Sequence, residues 1–324
     1  MKKDSATGWM LLGIGGAHMD RIGHIYGSYH AGASNPGRLT TTVGGGTLNA
    51  LRTACLAGTG PVALISARGG DHDGAIVADT VEAAGLGDLS AVFLDRRTAS
   101  YTAILDASGE QIAGLADMEI YETALPRQLR RKALREAIAS ANAILVDANL
   151  PVAGLEAAAG HATGPIFAIA ISPTKVLRLT AIAARIDTIF MNRREMKALT
   201  SEDSDAPGLA GLAALGFNRA VVTGGAGPVL VQDAGTRHEV SPPALDAVVD
   251  VTGAGDALAG ATIHSLLRDP GLALCEAGRF GIAAAQMTLR TEGPVAETLS
   301  GPEPEAIRAA CTIREMQPSK EGAT

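Results

Sequence analysis

Residues 250–261 read DVTGAGDALAGA: two glycines flank an alanine, Asp256 follows at once, and a small, apolar, helix-like run continues. Gly253, Ala254 and Gly255 can present consecutive backbone N–H groups at a helix N-terminus, which makes an anion hole. Asp256 then falls in the first turn of that helix. An acid there is also, more simply, a favourable charge at the positive helix end. The small residues on both sides, however, leave open space in front of its carboxylate. A carboxylate beside an anion hole suits phosphoryl transfer. It accepts the proton of an attacking hydroxyl while the N–H groups stabilise charge spreading over the transferred oxygens.

Outward from that stretch, short apolar runs alternate with helical patterns. WMLLGIGG reads as a buried first strand that stops at glycines. PVALISA precedes the helical DGAIVADTVEAAG, AILVDA precedes PVAGLEAAAG, IFAIAI precedes TKVLRLTAIAARI, and TIFMN precedes RREMKAL. RAVVTGG leads into the hairpin-like GPVLVQDAGTRHEV. Such alternation predicts an α/β fold, a mainly parallel sheet with helices on both faces. Two segments break the rhythm. HIYGSYHAGASNPGRLTTTV and TASYTAILDASGEQIAGLADMEI alternate residue by residue around turn residues, as antiparallel strands with one wet face do. They predict a small β-sheet lid from residues 19–42 and 97–119, beside a large α/β domain of residues 1–18, 43–96 and 120–324.

The chain has 324 residues, 47% of them apolar and 3% aromatic, enough for a large core with close helix-on-sheet packing. A net charge of −7 without runs of like charge argues against nucleic acid and anionic membrane as partners. Cys55, Cys275 and Cys311 are scattered and odd in number, which fits buried thiols in a reducing cytoplasm better than a disulfide frame or zinc site. The apolar stretch near the start is too short for a signal peptide or a membrane span. A cytoplasmic protein is expected.

Two other glycine-rich stretches invite phosphate readings. GIGGAHMD has Gly13 and Gly15, but His18 stands at the third position of G-x-G-x-x-G and would obstruct close helix packing, so a dinucleotide fold is disfavoured. The dipeptide Gly-Lys occurs nowhere, which excludes a Walker A loop. GGGTLNALRTACLAG, residues 44–58, runs from glycines into a helix with Asn49 in its first turns. It is either an ordinary strand-to-helix turn or a place where the backbone approaches a polyhydroxyl substrate and the Asn49 amide bonds its hydroxyls.

Together these residues resemble the PfkB family, the ribokinase-like carbohydrate kinases. DVTGAGDALAGA resembles its C-terminal signature and GGGTLN its N-terminal glycine signature. MNRREMKAL is similar to its N-x-x-E motif, and VVTGGAGPVL to its T-x-G strand-turn. The four occur in the family's order. The resemblance implies a Rossmann-like domain with a β-sheet lid, using ATP and Mg2+. It makes Asp256 the catalytic base and Gly253, Ala254 and Gly255 the anion hole. Asp20, Gly45 and Asn49 would bind substrate hydroxyls, and Asn192, Thr223 and Gly225 would lie at the nucleotide. Glu195 would act on Mg2+ through water, although Asn192 and Glu195 also fit a plain helix cap with an exposed acid. Asp250 and the backbone near Val251 match a monovalent-cation site, with Val251 where a threonine is frequent, so K+ is the expected ion only if that change is tolerated. Family lids often pair, which implies a homodimer contact through the lid.

GASNPGRLTTTVGGG and GLADMEIYE resemble the pseudouridine kinase branch, in which the nucleoside 5′-OH is phosphorylated. Tyr101, Met118 and Ile120 would offer apolar contact to a base. Thr47 replaces a glycine common in the ribokinase type, which implies a narrower substrate pocket, and Ser172 stands where many members have an aspartate before proline. Ribose or another sugar is the alternative acceptor. A different class is a catalytically silent sugar- or nucleoside-binding regulator, against which the intact Asp256 and Gly-Ala-Gly triplet argue.

Overall fold

The computed structural model describes residues 8–317. The outermost parts of the expected segments 1–18 and 120–324, residues 1–7 and 318–324, lie outside the described residues. In chain order the strands are β1 (Leu11–Ile14), β2 (His18–Ile25), β3 (Gly37–Gly44), β4 (Val62–Ile65), β5 (Ala67–Gly69), β6 (Gly87–Asp88), β7 (Ala91–Phe93) and β8 (Ser100–Leu105). They continue as β9 (Gln111–Asp117), β10 (Ile144–Asp147), β11 (Ile166–Ile169), β12 (Ile186–Asn192), β13 (Arg219–Thr223), β14 (Val229–Asp233), β15 (Thr236–Ser241) and β16 (Thr312–Glu315).

A 10-stranded sheet has the order β16-β15-β14-β13-β12-β11-β10-β1-β4-β6. From β6 to β13 every pairing is parallel; β14, β15 and β16 close the far edge antiparallel. The central strands are apolar throughout because both faces are covered. On β1, Leu12 and Ile14 pack into one helical layer while Leu11 packs into the other. On β10, Ile144 and Val146 face the first layer and Leu145 the second. Each such fully buried side chain contributes about 1.5–3 kcal/mol over an exposed one.

A separate 4-stranded sheet runs β3-β2-β8-β9. Its β2–β3 and β8–β9 pairs are antiparallel, and β2 joins β8 in parallel, a pairing that alternation alone does not reveal. Its outer strands are exposed on both faces rather than alternately, so the residue-by-residue alternation of the sequence does not translate into one wet and one packed face there. A third, 2-stranded sheet pairs β5 with β7.

One helical expectation needs correction. Residues 176–185 wind as a 3-10 run broken by non-helical backbone at Ile182, not as an α-helix. The buried residues Val176, Leu179 and Ile182 fall three apart, which matches a helix of three residues per turn. Among the described residues no helix is long and apolar enough to cross a membrane, and Cys55, Cys275 and Cys311 are all free thiols.

Candidate active site

A cavity of about 580 Å³ opens at the C-terminal ends of the parallel strands, where ligands of open α/β sheets bind. Following the strand order across it, Thr223 ends β13, Asn192 ends β12, Ile169 ends β11, Asn149 follows β10, and His18 and Asp20 come from β2. The register of the small sheet explains its contribution. Asp20 pairs with Tyr101, and Tyr101 with Ala116, so three neighbouring strands present one row to the cavity. His18 shares that face, two residues along the strand.

The helix Ala254–Arg268 starts on Gly253, whose φ of 76° is left-handed. A Cβ there would sit 2.0 Å from the Pro294 carbonyl oxygen, so glycine is required. Gly253, Gly255 and Asp256 line the cavity. Asp256 Oδ2 accepts a 2.9 Å hydrogen bond from Asn49 Nδ2. Its Oδ1 lies over Gly46, 3.2 Å from where a Cβ would be, and accepts no hydrogen bond from the described residues. The side chain keeps some contact with the cavity, but the carboxyl group sits deep among protein atoms. That burial pushes its pKa up to about 6; Asp147 and Asp20 add to the rise, while the Asn49 bond and His18 oppose it. A carboxylate poised near neutrality with one free oxygen is equipped to take a proton.

Asn49 is buried on the helix Gly46–Leu56, and its Oδ1 has no hydrogen-bond partner. An orphaned, buried acceptor at the cavity wall calls for a hydroxyl or N–H from a ligand. Gly45 (φ 113°) opens that helix pressed against the Gly16 carbonyl, which brings the backbone to the cavity edge. Asp20 contacts His18 Nε2 at 3.4 Å, and Tyr121, wholly buried beneath, bonds the Ala17 backbone through its hydroxyl.

On the other side, Asn192 and Glu195 form a reciprocal cap. Asn192 Oδ1 accepts from Glu195 N at 3.0 Å, and Glu195 Oε2 accepts from Asn192 N at 2.7 Å. Both line the cavity, so the capping and ligand readings are compatible. Glu195 is buried, which raises its carboxyl pKa, and the Asp256 charge adds to the rise. Among the described residues no group bonds its Oε1. Thr223 also faces the cavity. Ala254, Gly225, Asp250 and Val251 are not among the lining residues. Gly225 stands in the turn after β13 with a φ of 65°, Asp250 Oδ1 accepts from Thr252 N at 2.9 Å, and Val251 is 72% exposed. No cluster of three or more His, Cys, Asp or Glu able to hold a metal occurs among the described residues.

Two expectations about the pocket wall are overturned. Thr47 does not narrow the cavity: it is fully buried, and its hydroxyl donates to Asp147 Oδ2 at 2.8 Å. Ile120 does not reach it either; it packs in the core, whereas Tyr101 and Met118 do line it.

Asp147, Asn149, Ile171 and Lys175 were not singled out by their local sequence. Asp147, wholly buried, also accepts from Gly16 N at 2.8 Å and Asn149 N at 2.9 Å, tying the ends of β1 and β10 to the start of the Gly46–Leu56 helix. Ile171 holds a φ of 71° while Ser172 N bonds Ala170 O at 2.9 Å, a tight turn centred on a β-branched residue. Backbone of that kind costs of order 1–3 kcal/mol and clusters at functional sites. The IFAIAI run gives no hint of it.

Comparison with known proteins agrees with this fold. The model of the pfkB family carbohydrate kinases matches residues 10–299. The pseudouridine kinase of Escherichia coli (strain K12) is 29% identical over 286 residues, covering 86% of this chain and 90% of that protein. A solved carbohydrate kinase from Agrobacterium tumefaciens is 39% identical with a TM-score of 0.80, covering 94% of this chain and 99% of that one. The ribokinase of Arabidopsis thaliana, solved with ribose and ATP, is 19% identical and shares the fold, with a TM-score of 0.78 over 90% of this chain and 96% of its own.

Proposed function

Given that the chain belongs to the pfkB family of carbohydrate kinases and is a kinase of that class, we propose that it transfers a phosphoryl group from ATP to a nucleoside hydroxyl, the 5′-OH of pseudouridine. The observation that carries the reading is Asp256: a carboxylate in the first turn of a helix opened by a left-handed glycine, with one oxygen held by Asn49 and the other free toward the cavity. The acceptor class follows the pseudouridine kinase relative and the Tyr101 and Met118 wall.

In this reading Asp256 Oδ1 takes the proton of the attacking hydroxyl as that oxygen bonds to phosphorus. The N–H groups of Gly253, Ala254 and Gly255 stabilise negative charge on the transferred oxygens. Asp20, Gly45 and Asn49 orient the acceptor, the unpartnered Asn49 Oδ1 receiving a sugar hydroxyl. Asn192, Thr223 and Gly225 hold the nucleotide. Glu195 Oε1 and Asn192 would hold Mg2+ through its bound waters, since a hard cation takes oxygen donors of this kind. Bound Mg2+ would neutralise phosphate charge, and ATP would supply the phosphoryl group. A monovalent cation such as K+ at Asp250 and the Val251 backbone, a cytoplasmic setting, and pairing of two copies through the small sheet go with the same proposal. Exposed Leu39 and Leu115 on that sheet favour the pairing.

Residues 19–42 and 97–119 act as the lid, closing over the acceptor so that water is excluded before transfer. The test is steady-state ADP release with ATP and a panel of nucleosides and sugars. Turnover that depends on pseudouridine, with a higher kcat/KM than for ribose, supports the reading. Binding without turnover of any acceptor would make the chain a silent regulator instead.

A further inference from the structure

The acceptor half of the cavity contains one lysine that none of these roles uses. Lys175 lies half-buried on the connection between β11 and β12, and its Nζ donates to Asn149 Oδ1 at 2.7 Å. No carboxylate of the described residues stands within ion-pair distance of it. Burial lowers its pKa, Arg178 does so too, and Asp147 and Glu122 oppose them. Arg178 itself is occupied: it bonds the Glu122 carboxylate at 2.7 Å and the Asn149 carbonyl at 3.2 Å. The ammonium therefore has one protein partner and two donors left over.

Asn149 is equally constrained and equally unfinished. Its N–H is fixed by Asp147 and its carbonyl by Arg178. Lysine can only donate, so Oδ1 must face Lys175 and Nδ2 must point the other way. Nδ2 lies over Gly16, 2.8 Å from where a Cβ would be, and donates to none of the described residues. Asn149 is 3% exposed and lines the cavity, so this is a nearly buried donor at the cavity wall. Along the strand order, Asn149 and Lys175 sit at the β10 and β11 ends, away from Asn192 and Thr223 at the nucleotide end.

The surroundings choose between acceptors rich in oxygen. Asp20, Glu195 and Asp256 line the cavity and Asp147 lies just behind it, so an anionic sugar acid would add charge to an acidic pocket. A neutral ring with carbonyl oxygens adds none, and Tyr101 and Met118 offer it a face. We propose that Lys175 and the Asn149 amide form the subsite that reads the acceptor's base, each donating to a ring carbonyl oxygen of a neutral, uracil-like heterocycle. This rests on the nucleoside kinase reading and names the residues that set its specificity.

Lys175→Met tests it, assayed with ATP against pseudouridine, ribose and gluconate beside the wild type, with Lys175→Arg as a variant that keeps donors. The expected result is that the ratio of kcat/KM for pseudouridine over ribose falls about 10- to 100-fold in Lys175→Met, the size of one lost charged hydrogen bond. The fall appears mainly in the KM for pseudouridine, and Lys175→Arg recovers part of it. An unchanged ratio, or equal losses on both acceptors, overturns the subsite and leaves the nucleoside reading standing. A wild type that shows no preference for pseudouridine over ribose, or prefers gluconate, overturns the nucleoside reading and the subsite with it.

Discussion

Replacing Asp256 with asparagine should slow the enzyme and stabilise it at the same time. The folded protein holds this carboxyl at a pKa of about 6, against an ordinary value of 3.8. At 1.36 kcal/mol per pK unit, keeping it ionised at neutral pH costs the fold about 3 kcal/mol. Contact with the cavity makes about 2–3 kcal/mol the better figure. The sign follows from proton binding. Between pH 4 and 6 the folded state holds a proton that the unfolded chain has released, so stability falls as pH rises through that window and is flat above it. Asp256→Asn removes the dependence and keeps an acceptor oxygen for Asn49 Nδ2. At about 2 °C per kcal/mol, the ligand-free variant should melt about 4–6 °C above wild type at pH 8, and the gap should close toward pH 4. Loss of the base should lower kcat about 10²–10⁴-fold. Thermal melts from pH 4 to 8, with steady-state rates at pH 8, read both effects. A variant no more stable than wild type, or a gap independent of pH, would show that the carboxyl is not desolvated; near-wild-type kcat would remove it from catalysis.

Glu195→Gln should raise the Mg2+ concentration for half-maximal rate severalfold; an unchanged Mg2+ titration counts against a metal role for that carboxylate. Thr47→Val, which strips one donor from buried Asp147, should cost about 1–3 kcal/mol in urea unfolding, and a neutral effect would mean that Asp147 finds other partners. Asp20→Ala should weaken acceptor binding about 10- to 100-fold by calorimetry. Acceptor alone, without ATP, should protect residues 19–42 and 97–119 from amide hydrogen exchange, and less so in the Asp20 variant. Equal exchange with and without acceptor would make the small sheet static rather than a lid.

What the sequence made legible was what depends on local pattern. Continuous apolar runs such as LLGI and ILVD declare strands covered on both faces, and glycines before Asp256 declare a tight turn into a helix. The β5–β7 pair escaped because ARG and AVF are three-residue strands whose partners lie far along the chain. Residues 176–185 misled because their apolar spacing of three and four residues serves an α-helix nearly as well as a 3-10 run. Asp147 looked like any polar residue ending a strand; its hydrogen bonds to Gly16 and Thr47 span 131 and 100 residues of chain. Thr47 was misread for the same reason, since only the fold shows its hydroxyl turned inward. Lys175 and Asn149, 26 residues apart, carry no shared motif. Their meaning appears only when β10 and β11 lie side by side.

The central claim is phosphoryl transfer to a nucleoside hydroxyl, and the product itself tests it most directly. Wild-type protein incubated with ATP, Mg2+ and pseudouridine should yield a phosphomonoester on the 5′ oxygen, seen by phosphorus NMR as a signal split by the two 5′ protons, in step with ADP. Inorganic phosphate as the only new phosphorus species besides ADP, or phosphate on another oxygen, would contradict the account.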